Sequence, residues 1–220
     1  MPRYAIIFDL DGTLLDTLED LAEATNSALG RCGFPPHPID DYRQFVGNGA
    51  RELIRRALPP DRRSDAIIQR CHQEFLEIYA RSWDTRTRPY PGIPELLDRL
   101  AEKRVKTAIL SNKPHDLAVK TVETLLAPWH FEIVLGQRDD IPRKPDPAGA
   151  LEIANRLDTP PSGFLFIGDS GVDMRTAIRA GMLPIGVRWG FRSPEELKRA
   201  GAFAVVTNPD ELLRYFRQPL

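Results

Sequence analysis

Short apolar runs alternate with amphipathic stretches along most of this chain. The apolar runs, bounded by polar or turn-forming residues, predict strands at Ala5–Phe8, Val105–Leu110, Phe131–Leu135, Gly163–Ile167, Leu183–Val187 and Ala202–Val206. Apolar residues with helical spacing predict helices at Ile93–Arg104, Asp116–Leu126 and Pro147–Leu157, from just after Ser170 to about Ala180, and at Asp210–Arg217. Such alternation of strand and helix is typical of a parallel sheet whose two faces are covered by helices.

The segment 16–85 departs from this rhythm, because it contains no convincing strand. Its apolar spacing predicts helices only, at Leu18–Arg31, Ile39–Phe45, Ala50–Leu58 and Arg62–Ser82. We therefore predict an α/β fold with a Rossmann-like parallel sheet, helices on both faces, and an all-helical domain inserted after the first strand. The core would comprise residues 1–15 and 86–220 and the insertion residues 16–85. The hinges would lie near Leu15–Thr17 and Asp84–Arg88.

Charge and composition narrow the choice of partner. The 220 residues carry 30 basic and 31 acidic side chains, a net charge of −1, so no overall field attracts nucleic acid or an anionic membrane. The two cysteines, Cys32 and Cys71, fit a reducing compartment better than a disulfide scaffold. No stretch approaches the roughly 18 apolar residues that span a bilayer, and no signal peptide is evident. We expect a soluble, cytoplasmic protein, a monomer or homodimer, that acts on a small molecule.

The first predicted strand runs directly into two acids. Asp9 and Asp11 follow Ala5–Phe8, then Gly12 permits a sharp turn and Thr13 offers a hydroxyl and a backbone N–H. Two carboxylates held at a rigid strand end repel each other unless a cation or a proton offsets their charge. This pattern suits metal-assisted attack by one carboxylate, with the other as acid and base. An acidic turn that merely ends the strand is the alternative.

Three further segments end strands or lie in loops that can face Asp9. Ser111 and Asn112 end the second strand of the sheet, where they suit a phosphate oxygen or simply cap the next helix. Lys144 lies in a proline-rich loop, where it is either solvated or neutralises charge in a transition state. Asp169 and Asp173 follow the most apolar strand and can join one acidic cluster, although Asp173 also suits a helix N-terminus.

Taken together, these segments resemble the motifs of the haloacid-dehalogenase-like phosphohydrolase superfamily, in the family's order and over essentially the whole chain. The matching residues are Asp9, Asp11, Gly12, Thr13, Ser111, Lys144, Gly168, Asp169, Ser170 and Asp173. The resemblance implies an α/β core, a cap domain formed by residues 16–85, and Mg²⁺-dependent hydrolysis of a phosphomonoester through an aspartyl-phosphate. The implied partner is a small phosphorylated metabolite.

The resemblance also implies a role for each matching residue. Asp9 would attack phosphorus, and Asp11 would protonate the leaving alcohol and then activate water. The implied Mg²⁺ ligands are the carboxylates of Asp9 and Asp169 and the backbone carbonyl of Asp11, with support from Asp173. The residues expected around the phosphoryl oxygens are Thr13, Ser111, Asn112 and Lys144.

The choice of substrate is expected to lie in the inserted helices. A glycine-containing loop that opens one of them resembles the cap of phosphoglycolate phosphatases, which makes 2-phosphoglycolate the favoured substrate. The candidate substrate residues are Tyr42, Arg43, Gly47, Asn48, Gly49 and Arg51. The glycines also suit an ordinary helix start, and the arginines a solvated face.

Other functions remain open on the sequence alone. A phosphosugar mutase similar to β-phosphoglucomutase shares the core motifs, and inorganic pyrophosphatases, 5′-nucleotidases and sugar-phosphate phosphatases have similar caps. A phospho-acceptor signalling module also combines acids, a hydroxyl and a lysine on a parallel sheet. Such a module lacks an insertion of this length, which makes it the remotest alternative.

Overall fold

The computed structural model describes residues 5–216 and contains a central parallel sheet. The strands of this part of the chain are β1 (Ala5–Phe8), β2 (Leu15–Asp16), β3 (Arg88–Pro89), β4 (Lys106–Pro114), β5 (Ile133–Gln137), β6 (Phe164–Gly168), β7 (Leu183–Val187) and β8 (Ala204–Val206). Six of them form one sheet in the order β5–β4–β1–β6–β7–β8, and every neighbouring pair is parallel. Ala5 pairs with Lys106 on one side and with Phe164 on the other.

Strands β1 and β6, at the centre of the sheet, are apolar at every position, as is typical of strands whose two faces are both covered. Side chains alternate between the two faces, so Ile6 and Phe8 join one apolar cluster while Ala5 and Ile7 join another. The α-helices are α1 (Leu18–Arg31), α2 (Tyr42–Phe45), α3 (Ala50–Ala57), α4 (Asp65–Tyr79), α5 (Ile93–Glu102), α6 (His115–Leu125), α7 (Ala148–Arg156), α8 (Gly171–Ala180) and α9 (Pro194–Arg199). Helices α5 and α6 pack on the first cluster, whereas α7 and α8 pack on the second. The predicted α/β architecture is confirmed.

Helices α1 to α4 lie between β2 and β3 and bury an apolar cluster of their own. The two connecting segments pair as a short antiparallel ribbon, with Leu15 opposite Pro89 and Asp16 opposite Arg88. Buried Asp20 on α1 reinforces this connection, because its carboxylate accepts hydrogen bonds from the backbone N–H groups of Arg86 and Thr87 at 2.9–3.0 Å.

Several predicted boundaries differ from the structure. The helix expected over Arg62–Ser82 is shorter: a 3₁₀ turn at Pro60–Arg62 precedes α4, which starts where Ser64 caps it. The C-terminal helix expected over Asp210–Arg217 is a 3₁₀ helix over Pro209–Arg214, and Arg217 lies outside the described residues.

The segment expected as one helix over Ile39–Phe45 is divided. It contains a 3₁₀ turn at Ile39–Asp41 followed by α2. Strand β4 extends beyond the predicted Leu110 to Pro114, which carries its polar end into the region discussed below. Within residues 5–216, no helix is both long and apolar enough to cross a membrane.

Candidate active site

The predicted site residues meet at one edge of the sheet. Asp9 follows β1, Ser111 lies near the end of β4, and Asp169 follows β6. Strands β4, β1 and β6 are adjacent and parallel, so their carboxyl ends lie side by side. In open α/β sheets this edge is where ligands bind.

The centre of the site is a buried cluster of carboxylates with one lysine. Oxygens of Asp9, Asp169 and Asp173 lie within 4.8 Å of one another. Lys144, whose side chain is only 2% exposed, places its Nζ 2.8 Å from Oδ1 of Asp9 and 2.7 Å from Oδ1 of Asp173. The lysine predicted to be either solvated or functional is therefore buried among the acids.

Negative charge exceeds positive charge in this cluster. Burial raises the pKa of Asp9 to about 7, and Lys144 only partly offsets that rise. Burial, together with repulsion from Asp173 and Asp9, also raises the pKa of Asp169 well above its usual range. Burial alone would lower the pKa of Lys144, but Asp173 and Asp9 outweigh it and raise the pKa above its ordinary value.

The donor set fits a divalent cation that prefers oxygen ligands. Each of the three acids offers a hard carboxylate oxygen to the same small volume. Oδ1 of Asp9 is buried and, although it lies near Lys144, it receives no well-oriented hydrogen bond within residues 5–216. A carboxylate oxygen has more than one lone pair, so Oδ1 can face the Lys144 ammonium and still coordinate a metal ion.

The surrounding backbone holds Asp169 firmly in place. Its Oδ2 accepts a hydrogen bond from the backbone N–H of Phe191 at 2.7 Å. A Cβ atom at either Gly12 or Gly190 would overlap the Asp169 side chain, so both positions require glycine. Gly12 also has a φ of +86°, a conformation that side chains disfavour.

Asp173 combines the two alternatives that the sequence left open. Its Oδ2 accepts hydrogen bonds from the backbone N–H of Ser170 at 3.1 Å and from the Ser170 hydroxyl at 2.6 Å, forming a capping box at the start of α8. Its Oδ1 meanwhile accepts from Lys144. One carboxylate thus starts a helix and anchors the buried lysine.

The residues predicted to bind phosphate differ in whether their polar atoms already have hydrogen-bond partners within the protein. Thr13 is fully buried, and its hydroxyl has no hydrogen-bond partner in the described part of the chain, which leaves it available to a ligand. Ser111 lines the cavity, and its hydroxyl accepts from the backbone N–H of Lys113 at 3.2 Å. The amide of Asn112 is occupied: it donates to the carbonyls of Gly47 and Lys144 and accepts from the N–H of Lys144. Asn112 therefore braces the Lys144 loop, a structural role that the sequence did not predict.

The cap-loop candidates do not all reach the cavity. Gly47 and Gly49 line it, as predicted. Tyr42 does not: it is fully buried among the inserted helices and its hydroxyl donates to Asn26 at 2.6 Å. Arg51 points elsewhere and forms an exposed ion pair with Asp65 at 2.7 Å.

The remaining two candidates make structural contacts. The Asn48 side chain accepts a hydrogen bond from Arg56 at 2.8 Å. Arg43 donates to the carbonyl of Gly190 at 3.3 Å, so it lies beside the loop that carries Phe191 without lining the cavity.

Two residues that the sequence analysis missed make strong contacts here. Arg192, only 8% exposed, donates to the carbonyl of Val46 at 2.8 Å. This bond ties the loop between α2 and α3 (residues 46–49, the glycine loop) to the core. Lys113 is buried and places its Nζ 3.1 Å from Oδ1 of Asp11 and 2.9 Å from the hydroxyl of Tyr79 on α4.

The charge states of this second lysine and its tyrosine partner are well defined. Burial alone would lower the pKa of Lys113, but Asp11 and Tyr79 outweigh it and raise the pKa above its ordinary value. Burial raises the pKa of Tyr79 to about 12, against the opposing effect of Lys113. At neutral pH the lysine is therefore an ammonium and the tyrosine a protonated phenol.

A small cavity lies between the sheet edge and the inserted helices. Its volume is about 60 Å³, which is room for only a few molecules of water at roughly 10–15 Å³ each. Asp9, Asp11 and Ser111 line its core side, and apolar residues of α1, α3 and α4 line the other: Leu21, Leu53, Phe75 and Leu76.

Comparison with known proteins agrees with this geometry. A model of the haloacid dehalogenase-like hydrolase family matches residues 6–187. A phosphoglycolate phosphatase of Psychrobacter arcticus is 34% identical over 208 residues, which cover 90% of this chain and 89% of that protein. Phosphoglycolate phosphatase 1 of Pseudomonas aeruginosa is 34% identical over 218 residues, 97% of this chain and 79% of that protein.

A solved structure adds the fold to these sequence matches. The crystal structure of a candidate phosphoglycolate phosphatase from Lactobacillus delbrueckii subsp. bulgaricus superposes with a TM-score of 0.93 at 32% identity, and the match covers the whole of both chains. With the family model matching most of its length, this chain belongs to the haloacid dehalogenase-like hydrolases.

Proposed function

We propose that this protein is a Mg²⁺-dependent phosphatase that hydrolyses a small phosphomonoester, with 2-phosphoglycolate as the favoured substrate. The observation that carries the proposal is the buried cluster of Asp9, Asp169 and Asp173 with Lys144 at the carboxyl edge of the sheet. The relatives named phosphoglycolate phosphatase, each 34% identical over 90% or more of this chain, support the choice of substrate.

Asp9 is the proposed nucleophile. It attacks the phosphorus atom, the bond from phosphorus to the ester oxygen breaks, and the phosphoryl group passes to the Asp9 carboxylate as an aspartyl-phosphate. Lys144, 2.8 Å from Asp9, holds the carboxylate in one orientation and offsets the negative charge of the incoming phosphoryl group. The Thr13 hydroxyl, which has no hydrogen-bond partner among the described residues, would donate to a phosphoryl oxygen.

Asp11 is the proposed acid and base. Its side chain, 14% exposed, lies beside the cavity two residues after the nucleophile. In the first step it protonates the leaving alcohol, and in the second it takes a proton from the water that attacks phosphorus and releases Asp9. The reaction then yields the alcohol and free phosphate, with both aspartates restored.

A magnesium ion fits the carboxylate cluster. The residues that would hold it are Asp9 and Asp169, with Asp173 beside them and the backbone carbonyl of Asp11 as a further oxygen ligand. When bound, such an ion supplies positive charge to a phosphoryl oxygen. Asp169 is fixed for this purpose by the N–H of Phe191, and Asp173 by Ser170.

The helices α1 to α4 are the proposed cap, residues 16–85, over a core of residues 1–15 and 86–220. Contacts such as Arg192 to the carbonyl of Val46 and Arg143 to the carbonyl of Asn48 hold the glycine loop against the core. Closure of this kind excludes bulk water from the aspartyl-phosphate. The cavity of about 60 Å³ supports a substrate of two or three carbon atoms rather than a nucleotide.

A phosphate-release screen tests the proposal. Purified protein is incubated with Mg²⁺ and a panel of phosphorylated metabolites that includes 2-phosphoglycolate, a hexose phosphate, a nucleoside monophosphate and pyrophosphate. We expect the highest kcat/KM on 2-phosphoglycolate, loss of activity with EDTA, and no turnover by Asp9→Asn. Interconversion of hexose phosphates without release of phosphate would instead identify a mutase, and full activity in EDTA would contradict the metal requirement.

A further inference from the structure

The cavity contains a buried cation that the proposed chemistry does not use. Among the described residues that line the cavity, Lys113 alone carries a positive charge. Its side chain is 3% exposed, and its Nζ contacts Asp11 at 3.1 Å and the Tyr79 hydroxyl at 2.9 Å. Taking an ammonium out of water costs several kcal/mol unless partners offset it. Because burial of an ammonium is costly, the presence of a lysine at this position calls for a functional explanation.

The hydrogen-bond inventory leaves two donors available at this end of the cavity. An ammonium has three N–H groups. Within residues 5–216 one of them donates to the Tyr79 hydroxyl at 2.9 Å, and the contacts with Oδ1 and Oδ2 of Asp11, at 3.1 and 3.4 Å, share a second N–H as a bifurcated bond to one carboxylate. The Tyr79 oxygen accepts from Lys113, and its own O–H has no acceptor among the described residues. One N–H and one O–H on neighbouring atoms are thus free for a ligand.

The surroundings define which ligand these donors suit. In the proposed function Lys144 and Thr13 hold the phosphoryl group, whereas Lys113 lines the cavity together with the apolar cap residues Phe75 and Leu76. A ligand group at Lys113 also lies close to Asp11, so an anion there needs the ammonium to offset repulsion. A planar carboxylate accepts both hydrogen bonds and carries a negative charge that pairs with the ammonium. A neutral hydroxyl can accept a hydrogen bond but carries no charge.

We propose that Lys113, held in place by Tyr79, binds the carboxylate of the substrate and selects carboxylate-bearing phosphomonoesters over uncharged ones of the same size. This inference rests on the proposed phosphatase function and names the residue that chooses among its substrates. Lys113 is a specificity-determining residue in this scheme, while Asp9 and Asp11 carry the chemistry.

Two substrates that differ only at the carboxylate test the inference. 2-Phosphoglycolate and 2-hydroxyethyl phosphate share a two-carbon skeleton and a phosphoryl group, and the second has an alcohol in place of the acid, with one oxygen fewer. A hydrogen-bonded contact with a charged group corresponds to a preference of about tenfold to a hundredfold in kcat/KM for the wild-type protein. In Lys113→Met we expect the ratio of the two kcat/KM values to fall close to one.

Two further variants sharpen the result. Lys120→Met serves as the matched control, because Lys120 is an exposed lysine that lies over the ring of Trp83, 5.3 Å from its centre, and does not line the cavity. It should keep the wild-type ratio. Tyr79→Phe, which removes the neighbouring donor, should lower the ratio severalfold, and Lys113→Arg, which keeps the charge, should retain part of it.

The outcomes separate this inference from the function on which it rests. If Lys113→Met lowers kcat/KM for both substrates by the same factor, the ratio is unchanged. The lysine then only supports Asp11 or the fold, and the inference is overturned. A wild-type protein that hydrolyses both esters equally also overturns it, while the phosphatase function stands. Hydrolysis of neither ester overturns the function itself. If Lys113→Met does not fold, the ratio in Tyr79→Phe decides: a fall supports the inference and an unchanged ratio overturns it.

Discussion

Replacement of Asp9 by asparagine is expected to stabilise the metal-free protein while it removes activity. Asp9 is buried beside Asp169 and Asp173, with Lys144 as the neighbouring cation. Burial raises its pKa to about 7 despite the lysine, so the ionised carboxylate lowers the free energy of unfolding at neutral and alkaline pH. An amide cannot ionise, and it therefore relieves this repulsion in the absence of metal.

The size and the pH dependence of this effect follow from the pKa. A rise from 3.8 to about 7 corresponds to roughly 4 kcal/mol at about 1.4 kcal/mol per unit. This figure already includes the attraction of Lys144. Because the amide also gives the Lys144 ammonium a poorer neighbour than a protonated carboxyl group, we expect a somewhat smaller gain, about 2–3 kcal/mol, in the free energy of unfolding near pH 8. Because the folded pKa is raised, the folded protein binds more protons than the unfolded chain, and its stability at this site falls as pH rises from about 4 to about 7. The advantage of Asp9→Asn should therefore shrink towards about pH 4.

Urea unfolding in EDTA measures the difference directly. Wild type, Asp9→Asn and the control Asp84→Asn, which alters an exposed loop acid, are compared near pH 8 and near pH 5. Added Mg²⁺ should stabilise the wild type more than the variant, because a ligand stabilises the state that binds it. If Asp9→Asn is less stable than the wild type near pH 8 in EDTA, the argument from uncompensated charge is wrong.

Two other substitutions test the framework around the site. Gly190→Ala places a methyl group against the Asp169 side chain, so we expect the free energy of unfolding, measured in urea, to fall by about 1–3 kcal/mol. We also expect weaker Mg²⁺ binding in titration calorimetry, and an unchanged metal affinity would contradict the proposed contact. Asp20→Ala leaves the buried N–H groups at Thr87 and its neighbour without an acceptor, so the free energy of unfolding should fall by about 2–4 kcal/mol. Glu19→Ala, which removes an exposed partner of the same connecting segment, is the control and should lose less than about 1 kcal/mol.

The position of the acidic cluster was predictable because it follows from topology. Carboxylates that end parallel strands reach the same edge of a sheet, so Asp9 and Asp169 meet wherever those strands are neighbours. Lys144 could be placed among them only through the resemblance to a family, since nothing in a proline-rich loop shows where its side chain points.

Other features depended on contacts that spacing alone does not reveal. Lys113 was missed because β4 was predicted to end at Leu110, whereas it continues to Pro114 and carries the lysine into the cavity. Tyr42 lies near the glycine loop in sequence but is buried among the inserted helices.

Arg51 illustrates a signal that was present in the sequence. Leu53, Ile54 and Ala57 form the apolar stripe of α3 and are buried, so the helical period turns Arg51 towards solvent and towards Asp65. The stripe, read with a period of 3.6 residues, would have excluded this arginine from the cavity.

The central claim, that Asp9 receives the phosphoryl group and Asp11 releases it, is tested most directly by trapping the aspartyl-phosphate. In Asp11→Asn with Mg²⁺ and acetyl phosphate, a two-carbon substrate whose acetate leaving group needs no protonation, the first step proceeds while hydrolysis of the intermediate stalls. The account predicts a burst of acetate equal to the enzyme present and, after acid quench and peptide mass spectrometry, phosphate on the peptide that contains Asp9. Steady turnover without a burst and without phosphate on this peptide, or turnover that survives in Asp9→Asn, would contradict it.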